Sequence, residues 1–261
     1  GVQTCALPIC NDVLDGGANA DTADYGYVSA SISLTATLDG LGIATVTVTA
    51  TDIDTLIGIE NVAGGLGNDV LVGDSLANIL AGNDGNDTLR GGGGNDILDG
   101  GLGMDTVDFG YVAASALTVA LGATGAVTVT VADGSDVDTL IAIENVIGGA
   151  QGDRIVGDGN ANRIWGGGGN DLLIGGSGDD LLFGEAQDDV LEGGAGADTL
   201  TGGAGNDVFK FGADALSGAD VIMDLETGDT IDLSELLSSL AGAGASNADR
   251  QAYVAIQRTP G

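Results

Sequence analysis

The chain has 261 residues, and its composition is acidic and rich in glycine. It carries 39 acidic residues against six basic ones, 49 glycines and no histidine, which gives a formal net charge of −33. This charge argues against nucleic acid or an anionic membrane surface as a partner. The lack of histidine excludes a histidine-based zinc site and a Ser-His-Asp triad from this sequence.

Residues 1–10 differ in pattern from everything that follows. The run through Ile9 resembles a translated sequencing adapter, so we interpret 1–10 as adapter-derived and leave it out of the fold. A genuine N-terminal extension is the alternative. Both cysteines lie in this segment, and without it the chain has no disulfide or thiolate chemistry. The next residues begin in the middle of a repeat, so we interpret the chain as a piece of a longer protein.

Residues 11–24 contain the end of one glycine-rich nonapeptide and one whole copy, GGANADTAD. The nine-residue period then stops. Residues 25–54 contain two runs in which apolar and polar residues alternate, one around Leu34 and one around Val46, with an Asp-Gly pair between them. This pattern predicts a β-hairpin inserted between repeats.

The period returns over residues 55–108. The first copy, TLIGIENVA, keeps the nine-residue frame and has Glu60 at position six. The next five copies approach the form G-G-x-G-x-D-x-U-x, where U is apolar. Their position-six residues are Asp69, Asn78, Asp87, Asp96 and Asp105. Because an amide carries no charge, we expect a weaker or empty metal site at Asn78.

A second predicted hairpin occupies residues 109–138, and residues 139–210 form a second repeat array. Residues 15–100 align with residues 99–184 without a net gap, so an internal duplication underlies the chain. Five strong copies, at 166–210, complete the second array. From its first glycine-rich copy onward, position six holds Asp153, Asn162, Asp171, Asp180, Asp189, Asp198 and Asp207.

Each position of the repeat has a physical role. Glycines at positions one, two and four allow positive φ and let carbonyl oxygens converge. The position-six carboxylate adds a hard oxygen ligand of the kind that Ca²⁺ accepts, about 6–8 at a time. The apolar position eight predicts a three-residue strand with one inward side chain, which is stable only when coils stack. The spacing therefore predicts a calcium-binding stack of coils.

These nonapeptides resemble the RTX (repeats-in-toxin) hemolysin-type calcium-binding repeat. The resemblance implies an all-β fold, a right-handed parallel β-roll with two nonapeptides per coil, here interrupted by the two hairpins. It also implies that aspartates of neighbouring coils share ions, with Asp171, Asp189 and Asp207 on one edge and Asp180 and Asp198 on the other. The predicted side-chain ligands are Asp69, Asp87, Asp96, Asp105, Asp153, Asp171, Asp180, Asp189, Asp198 and Asp207. The predicted backbone-carbonyl ligands are Gly166, Gly168, Gly175, Ser177, Gly193 and Ala195.

Residues 211–261 leave the repeat and are predicted to cap the roll. The segment 219–240 resembles the C-terminal segment that closes the β-roll of serralysin-type proteases. Ser234 is placed to cap a short helix with Leu236, Leu237 and Leu240 on one side. In RTX proteins the last few tens of residues carry the type I secretion signal. The resemblance therefore implies a type I export apparatus as a partner, with an incomplete signal region here.

An apolar group falls on positions that are expected to face outward: Trp165, Leu172, Ile174, Leu181 and Phe183. Either the hairpins or the cap cover it, or it is a docking face for a missing domain or another subunit. Residues 111–132 lack charge and are long enough to span a bilayer. Their alternation with period two predicts strands instead, so we expect no membrane span.

We therefore expect a non-catalytic calcium-binding module of a secreted bacterial protein, extracellular or at the cell surface, that folds when it binds several calcium ions. Two alternatives stay open. The chain is the C-terminal domain of a secreted protease or lipase whose catalytic part is missing, or it belongs to a repeat adhesin or surface-layer protein. The internal duplication favours the adhesin.

Overall fold

The computed structural model describes residues 2–4, 11–40, 43–49, 51–122, 126–131 and 136–242. Their regular structure is almost entirely β, in two sheets of 13 and 12 strands. The strands are β1 (Val2–Thr4), β2 (Val13–Asp15), β3 (Thr22–Asp24), β4 (Thr35–Thr37), β5 (Ile43–Thr49), β6 (Asp52–Ile57), β7 (Asn61–Ala63), β8 (Val70–Val72), β9 (Ile79–Asp84), β10 (Thr88–Arg90), β11 (Ile97–Leu102), β12 (Thr106–Asp108), β13 (Leu117–Ala120), β14 (Val127–Val131), β15 (Val137–Ile141), β16 (Asn145–Ile147), β17 (Arg154–Val156), β18 (Arg163–Gly168), β19 (Leu172–Ser177), β20 (Leu181–Ala186), β21 (Val190–Ala195), β22 (Thr199–Ala204), β23 (Val208–Lys210), β24 (Val221–Ile222) and β25 (Thr230–Asp232). The described C-terminal part adds a 3₁₀ turn at Asp214–Ser217 and a helix, α1 (Ser234–Gly242).

Successive repeat strands alternate between the two sheets, so that each strand pairs in parallel with the strand two elements later. Strand β19 pairs with β21 and β20 pairs with β22, with Leu172 opposite Val190 and Leu181 opposite Thr199. One coil therefore contains two nonapeptides. The predicted parallel β-roll is confirmed.

Within the repeat arrays, position-eight side chains from both sheets form the core, and the insertions add further buried side chains such as Tyr25 and Leu34. Leu89, Leu98, Leu173, Leu182 and Leu191 are all 0% exposed. Full burial of one such side chain contributes about 1.5–3 kcal/mol, whereas ordering the backbone costs about 1–2 kcal/mol for each residue. Because each nonapeptide supplies one core residue, its stability also depends on hydrogen bonds and on ligands at the turns.

Four of the five strong repeats, and the repeat before them, have strands that are longer than the sequence predicts. Each strand from β18 to β22 has six residues instead of three. Pairing continues into the first three residues of the next nonapeptide, as in Gly176 opposite Gly194 and Ser177 opposite Ala195. The glycine turns stack directly on one another, so their peptide groups also pair between coils.

Both insertions are built into the sheets. In the first, β5 pairs antiparallel with β4 and β6, and β4 is parallel with β8. In the second, β14 pairs antiparallel with β13 and β15, and β13 is parallel with β17. The predicted alternating runs form strands, and each insertion adds antiparallel strands inside an otherwise parallel sheet.

The two insertions lie in opposite sheets, the first in the 12-stranded sheet and the second in the 13-stranded sheet. The three strands of an insertion stay in one sheet, whereas the following repeat strands alternate. The duplicated unit β4–β12 has an odd number of strands. Its first strand, β4, therefore lies in the 12-stranded sheet, whereas the first strand of the second copy, β13, lies in the 13-stranded sheet. As a result, Asp69 and Asp153, which are equivalent in sequence, precede strands of different sheets.

The C-terminal segment closes the roll, because β24 and β25 each add a strand to one sheet. Helix α1 begins at Ser234, as the sequence predicts. Leu236 is buried, but Leu237 is 39% exposed, and the side chain of Leu240 lies outside the described residues. Lys210 joins the helix to the roll, with Nζ 3.0 Å from an oxygen of both Glu192 and Glu235.

At the other end, residues 2–4 form β1, which pairs in parallel with β3. Residues 1 and 5–10 lie outside the described part, and the adapter origin of 1–10 stays a prediction. Within the described residues, no helix has the length and apolar character needed to cross a membrane. Of the outward apolar group, Trp165 and Phe183 stack on each other at a ring-centroid distance of 5.5 Å.

Candidate metal centres

The position-six side chains form two ladders, one along each sheet. Along the 13-stranded sheet, the backbone N–H of Asp171 donates to Oδ1 of Asp189 at 2.7 Å, and the N–H of Asp189 donates to Oδ1 of Asp207 at 2.9 Å. Along the other sheet, the N–H of Asp180 donates to Oδ1 of Asp198 at 2.9 Å. Adjacent aspartates are thus joined directly, and each uses one carboxylate oxygen in the ladder.

The second carboxylate oxygen, Oδ2, is left over in most glycine-led nonapeptides. In eight of those at 64–108 and 148–210, it is buried and has no hydrogen-bond partner among the described residues. We call these nonapeptides open turns. Their position-six residues are Asp87, Asp96, Asp105, Asp171, Asp180, Asp189, Asp198 and Asp207. A buried carboxylate oxygen without a partner is costly, so each open turn requires a proton or a cation.

Backbone carbonyl oxygens lie next to these unpaired carboxylate oxygens. A Cβ on Gly184, at position one, would overlap both Asp189 Oδ2 and the carbonyl oxygen of Gly202 on the next coil. A Cβ on Gly175 would likewise overlap Asp180 Oδ2 and the carbonyl oxygen of Gly193. Glycine at position one therefore lets the backbone pass close to both the carboxylate and the carbonyl oxygens.

The open turns share one backbone feature, a left-handed residue at position two. These residues are Asn83 (φ 76°), Gly92 (102°), Gly101 (98°), Gly167 (97°), Gly176 (110°), Glu185 (76°), Gly194 (105°) and Gly203 (96°). Glycine reaches this conformation at little cost, which explains why it prevails there.

Four other nonapeptides have a different turn, which we call closed. Their position-two residue does not have positive φ. Its backbone N–H donates instead to the side-chain oxygen at position six, over 2.6–2.9 Å. The donor and acceptor pairs are Gly65 and Asp69, Asp74 and Asn78, Gly149 and Asp153, and Asp158 and Asn162.

The two asparagines of the closed turns are fully hydrogen-bonded. Asn78 donates from Nδ2 to the carbonyl oxygen of Glu60 at 2.8 Å and accepts from the Asp74 N–H at 2.8 Å. Asn162 makes the equivalent bond to Glu144, also at 2.8 Å. In both turns the side-chain oxygen and nitrogen of the asparagine have partners within the protein. The weaker or empty site expected at Asn78 stays a prediction.

The ligands present at an open turn suit calcium. No three acidic side chains among the described residues gather around one point. A cation there would be held by one or two carboxylates, such as Asp180 or Asp189, and by backbone carbonyl oxygens. Ca²⁺ accepts such a set of hard oxygen donors, whereas zinc sites are built mainly from cysteine and histidine.

A comparison with protein families agrees with this geometry. The model for the RTX calcium-binding nonapeptide repeat (four copies) matches residues 10–26, 54–75, 72–107, 147–182 and 174–209, just over half of the chain. The chain belongs to the RTX calcium-binding repeat family. No curated protein matches it. The matched ranges contain every open-turn aspartate, and they omit β4, β5, β13 and β14 of the insertions.

Burial dominates the electrostatics of the RTX ladders. It raises the pKa of Asp87, Asp171, Asp180 and Asp189 to about 7, with a smaller contribution from neighbouring acidic groups, while backbone N–H bonds oppose the rise. Burial raises the pKa of Asp96 and Asp105 to about 6. The same cause raises the pKa of the other two open-turn groups, Asp198 and Asp207. Near neutral pH, protons and cations therefore compete for the open turns.

The predicted backbone ligands fall into two groups. Gly166, Gly175 and Gly193 are position-one residues, and their carbonyl oxygens lie next to the position-six side chain of the preceding coil. Gly168, Ser177 and Ala195 are position-three residues at the ends of six-residue strands. The carbonyl oxygen of Ala195 already accepts the N–H of Gly178 at 2.8 Å. The carbonyl oxygens of Gly166 and Gly175 lie beside the closed-turn residues Asp153 and Asn162, and only that of Gly193 lies beside an open-turn aspartate, Asp180. Among the predicted backbone ligands the geometry therefore favours Gly193.

The ladders extend beyond the residues that the sequence predicts. The N–H groups of Asp198 and Asp207 donate to Oδ1 of Asp220 and Asp229, both at 3.0 Å. Both acceptors belong to the C-terminal cap. The signal for them is the x-D-x-U half of the repeat, because an apolar residue, Ile222 or Ile231, follows two positions later, and Gly218 stands at position four before Asp220.

The ladders also cross the insertions, through residues that were not predicted as site residues. The N–H of Asp12 donates to Asp54 Oδ1, and that of Asp96 donates to Asp138 Oδ1, both at 2.9 Å. The N–H of Asp105 donates to Glu144 Oε2 at 2.8 Å. The interval along the chain is about twice that between repeats, so the nine-residue period does not reveal these contacts.

Proposed function

We propose that this chain is the calcium-dependent folding module of an exported RTX protein. The observation that carries the proposal is the set of buried, unpaired Oδ2 atoms along both ladders. In the absence of metal, each one opposes folding at neutral pH, because a buried charge has lost its hydration. A calcium ion bound to the folded turn and not to the unfolded chain would convert this cost into folding free energy.

The expected calcium affinities favour a chain that is unfolded inside the cell and folded outside it. Extracellular calcium modules bind with dissociation constants of about 10⁻⁴–10⁻³ M. A tenfold excess of free calcium over the dissociation constant then contributes about 1.4 kcal/mol per site. Several open turns acting together outweigh the marginal stability of a small domain. The chain would stay unfolded at cytosolic calcium levels, pass through a type I export apparatus as an unfolded polypeptide and fold outside the cell.

Circular dichroism of the full chain tests this function. The chain is compared in millimolar calcium, in the same buffer with a chelator, and in millimolar magnesium. We expect the strand signal in calcium and its loss in chelator. Magnesium should give little signal, because it demands near-ideal octahedral geometry and retains its waters. Equal strand content in calcium and in chelator would contradict the proposal.

A single substitution tests the shared ladder. Asp189 lies between Asp171 and Asp207, so Asp189→Ala should weaken calcium binding on both of its sides. We expect a calcium midpoint about tenfold higher, which corresponds to about 1.4 kcal/mol, together with a lower stoichiometry in isothermal titration calorimetry. The matched control is Asp188→Ala, which removes the same charge from the exposed neighbouring position and should leave the stoichiometry unchanged.

One observation favours a structural repeat protein as the parent of this module. Both sheets continue from the first copy of the duplicated unit into the second without a break, through β12 with β16 and through β11 with β15. Further copies can therefore be added in register, as an extended adhesin requires. The complete reading frame decides between this parent and a protease or lipase: additional units support the adhesin, and an upstream catalytic motif supports the enzyme.

A further inference from the structure

We propose that calcium enters only the open turns, and that the closed turns at Asp69 and Asp153 are metal-free couplings that fasten the insertions to the roll. This inference rests on the proposed calcium function and narrows it. Both aspartates fit the repeat consensus as well as the others do, so the sequence pattern alone assigns them to calcium.

The carboxylates of both aspartates are fully used by backbone N–H groups. Asp69 is 1% exposed, and its Oδ1 accepts the N–H of Leu34 at 2.7 Å while its Oδ2 accepts the N–H of Gly65 at 2.6 Å. Asp153 accepts from Leu117 and Gly149, both at 2.7 Å. Leu34 and Leu117 belong to the insertions. Each carboxylate therefore joins an insertion to the glycine turn that follows it, and each of its oxygens has a backbone donor.

The insertions also occupy the layer in which another glycine turn would lie. The N–H of Leu66 donates to the carbonyl oxygen of Val28 at 2.9 Å, and that of Ala150 donates to Val112 at 3.0 Å. A Cβ on Gly65 would be 3.1 Å from the backbone oxygen of Val28. On this side, the turns of Asp69 and Asp153 face a packed segment of the insertion.

The other half of the same coil is also independent of metal. The turn of Asn78 has aspartate at position two, and Asp74 Oδ1 accepts the N–H of Leu76 at 2.7 Å. Such an Asx turn fixes the backbone by a local hydrogen bond. Asp158 repeats it with the N–H of Asn160 at 2.8 Å. Each insertion is thus followed by one complete metal-free coil, at 64–81 and at 148–165.

These two coils divide the open turns into two ion-binding blocks. The first block, residues 82–108, has Asp87, Asp96 and Asp105 at position six. The second block, residues 166–210, has Asp171, Asp180, Asp189, Asp198 and Asp207. In the folded chain, the metal-free coils connect the insertions to these blocks whether or not calcium is bound.

Isosteric substitutions in the full chain test the assignment, with calcium stoichiometry from isothermal titration calorimetry as the readout. Asp87→Asn and Asp171→Asn, in open turns, should lower the stoichiometry relative to the unchanged chain. Asp69→Asn and Asp153→Asn should leave it unchanged and should lower only the melting temperature, because one backbone donor loses its acceptor. An equal loss of stoichiometry in both pairs would overturn the inference.

The converse test is to convert a closed turn into an open one and look for an added calcium site. This test stays valid even if the Asp69→Asn variant does not fold. Asp74→Gly, Leu76→Gly and Asn78→Asp together give the closed turn the consensus of an open one, and Leu76 is 56% exposed, so no core contact is lost. We expect a higher stoichiometry, and an unchanged one would count against the inference. Failure of the unchanged chain to bind any calcium would instead refute the proposed function itself.

Discussion

The first and second ion-binding blocks share a consensus but differ in how their ends are held. The first block lies between two insertions: the N–H of Asp69 donates to Asp87 Oδ1 at 2.7 Å on one side, and Asp138 and Glu144 accept from Asp96 and Asp105 on the other. The second block follows the metal-free coil at 148–165 and has no insertion after it. Its other end is held by the short strands β24 and β25 of the cap.

From this difference we expect the dependence on metal to vary along the RTX array. The three consecutive open turns of the first block follow the coil at 64–81, whose position-six side chains accept hydrogen bonds from backbone N–H groups. The second block stacks five open turns in succession, so a longer stretch of buried, like-charged carboxylates has to be compensated by ions. Local stability in such a protein varies along the chain, and here it should follow the number of consecutive open turns.

The largest expected effect is on the order in which the blocks lose structure when calcium is removed. As a chelator lowers free calcium, backbone amides at 166–210 should lose hydrogen-exchange protection at a higher free calcium concentration than those at 82–108. Hydrogen-exchange mass spectrometry of the full chain measures both regions in one sample. Simultaneous loss would mean that the metal-free coils do not support the first block.

Acidification should partly replace calcium. The folded pKa values of the open-turn carboxyls are raised from 3.8 to about 6 or 7, so the folded chain binds more protons than the unfolded chain between these values. Stability in calcium-free buffer therefore increases as the pH falls from about 7 towards 4, and it is lost as the pH rises through about 7. We expect a calcium-free sample to gain strand signal between pH 8 and pH 5.

The pH at which structure is gained without calcium can also be compared between the two blocks. The pKa is about 7 at Asp87 of the first block and at Asp171, Asp180 and Asp189 of the second, so both blocks should respond over the same pH range. Repeating the titration in about 1 M salt, where the Debye length is about 3 Å, removes the contribution of exposed charges. A transition that disappears in salt would show that surface repulsion, and not the buried ladder, is the cause.

The repeat period reveals most of the roll from sequence, because one apolar residue and one carboxylate at fixed positions report directly on stacking. The distinction between open and closed turns is less accessible. Asp74 and Asp158 at position two, followed by asparagine at position six, mark two closed turns by composition. Nothing in GGLGNDVLV distinguishes Asp69 from Asp96, because the turn of Asp69 is closed by the N–H of Gly65 and the turn of Asp96 has a glycine at the same position. The other oxygen of Asp69 accepts from Leu34 of the insertion, 35 residues earlier in the chain.

The sheet that each insertion enters is a second feature that the sequence does not predict. Alternation around Leu34 and Leu117 predicts strands, and strands are present. It does not predict that the insertions enter opposite sheets, because this depends on whether the unit between them contributes an odd or an even number of strands. Likewise Asp220 and Asp229 continue the ladders although the distance to the preceding aspartate, 22 residues, departs from the regular 18.

The smallest predicted effect concerns the one irregular turn of the second block. The nonapeptide GEAQDDVLE places two non-glycine residues, Glu185 (φ 76°) and Gln187 (φ 80°), in the left-handed region. This conformation costs about 1–2 kcal/mol per residue, whereas glycine loses about 0.5–1 kcal/mol more chain entropy on folding. Both side chains are exposed and make no core contact. Glu185→Gly and Gln187→Gly should each raise stability in saturating calcium by about 0.5–1 kcal/mol.

The reverse change at the next equivalent position is the matched control. Gly194 has φ 105°, and a Cβ there would overlap the carbonyl oxygen of Gly176 on the preceding coil. Gly194→Ala should therefore destabilise the second block, with a lower thermal midpoint in saturating calcium and earlier exchange of amides at 166–210, while the first block stays unchanged. If the glycine variants at 185 and 187 lower the midpoint instead, their side chains stabilise the open turn, and backbone strain does not limit the second block.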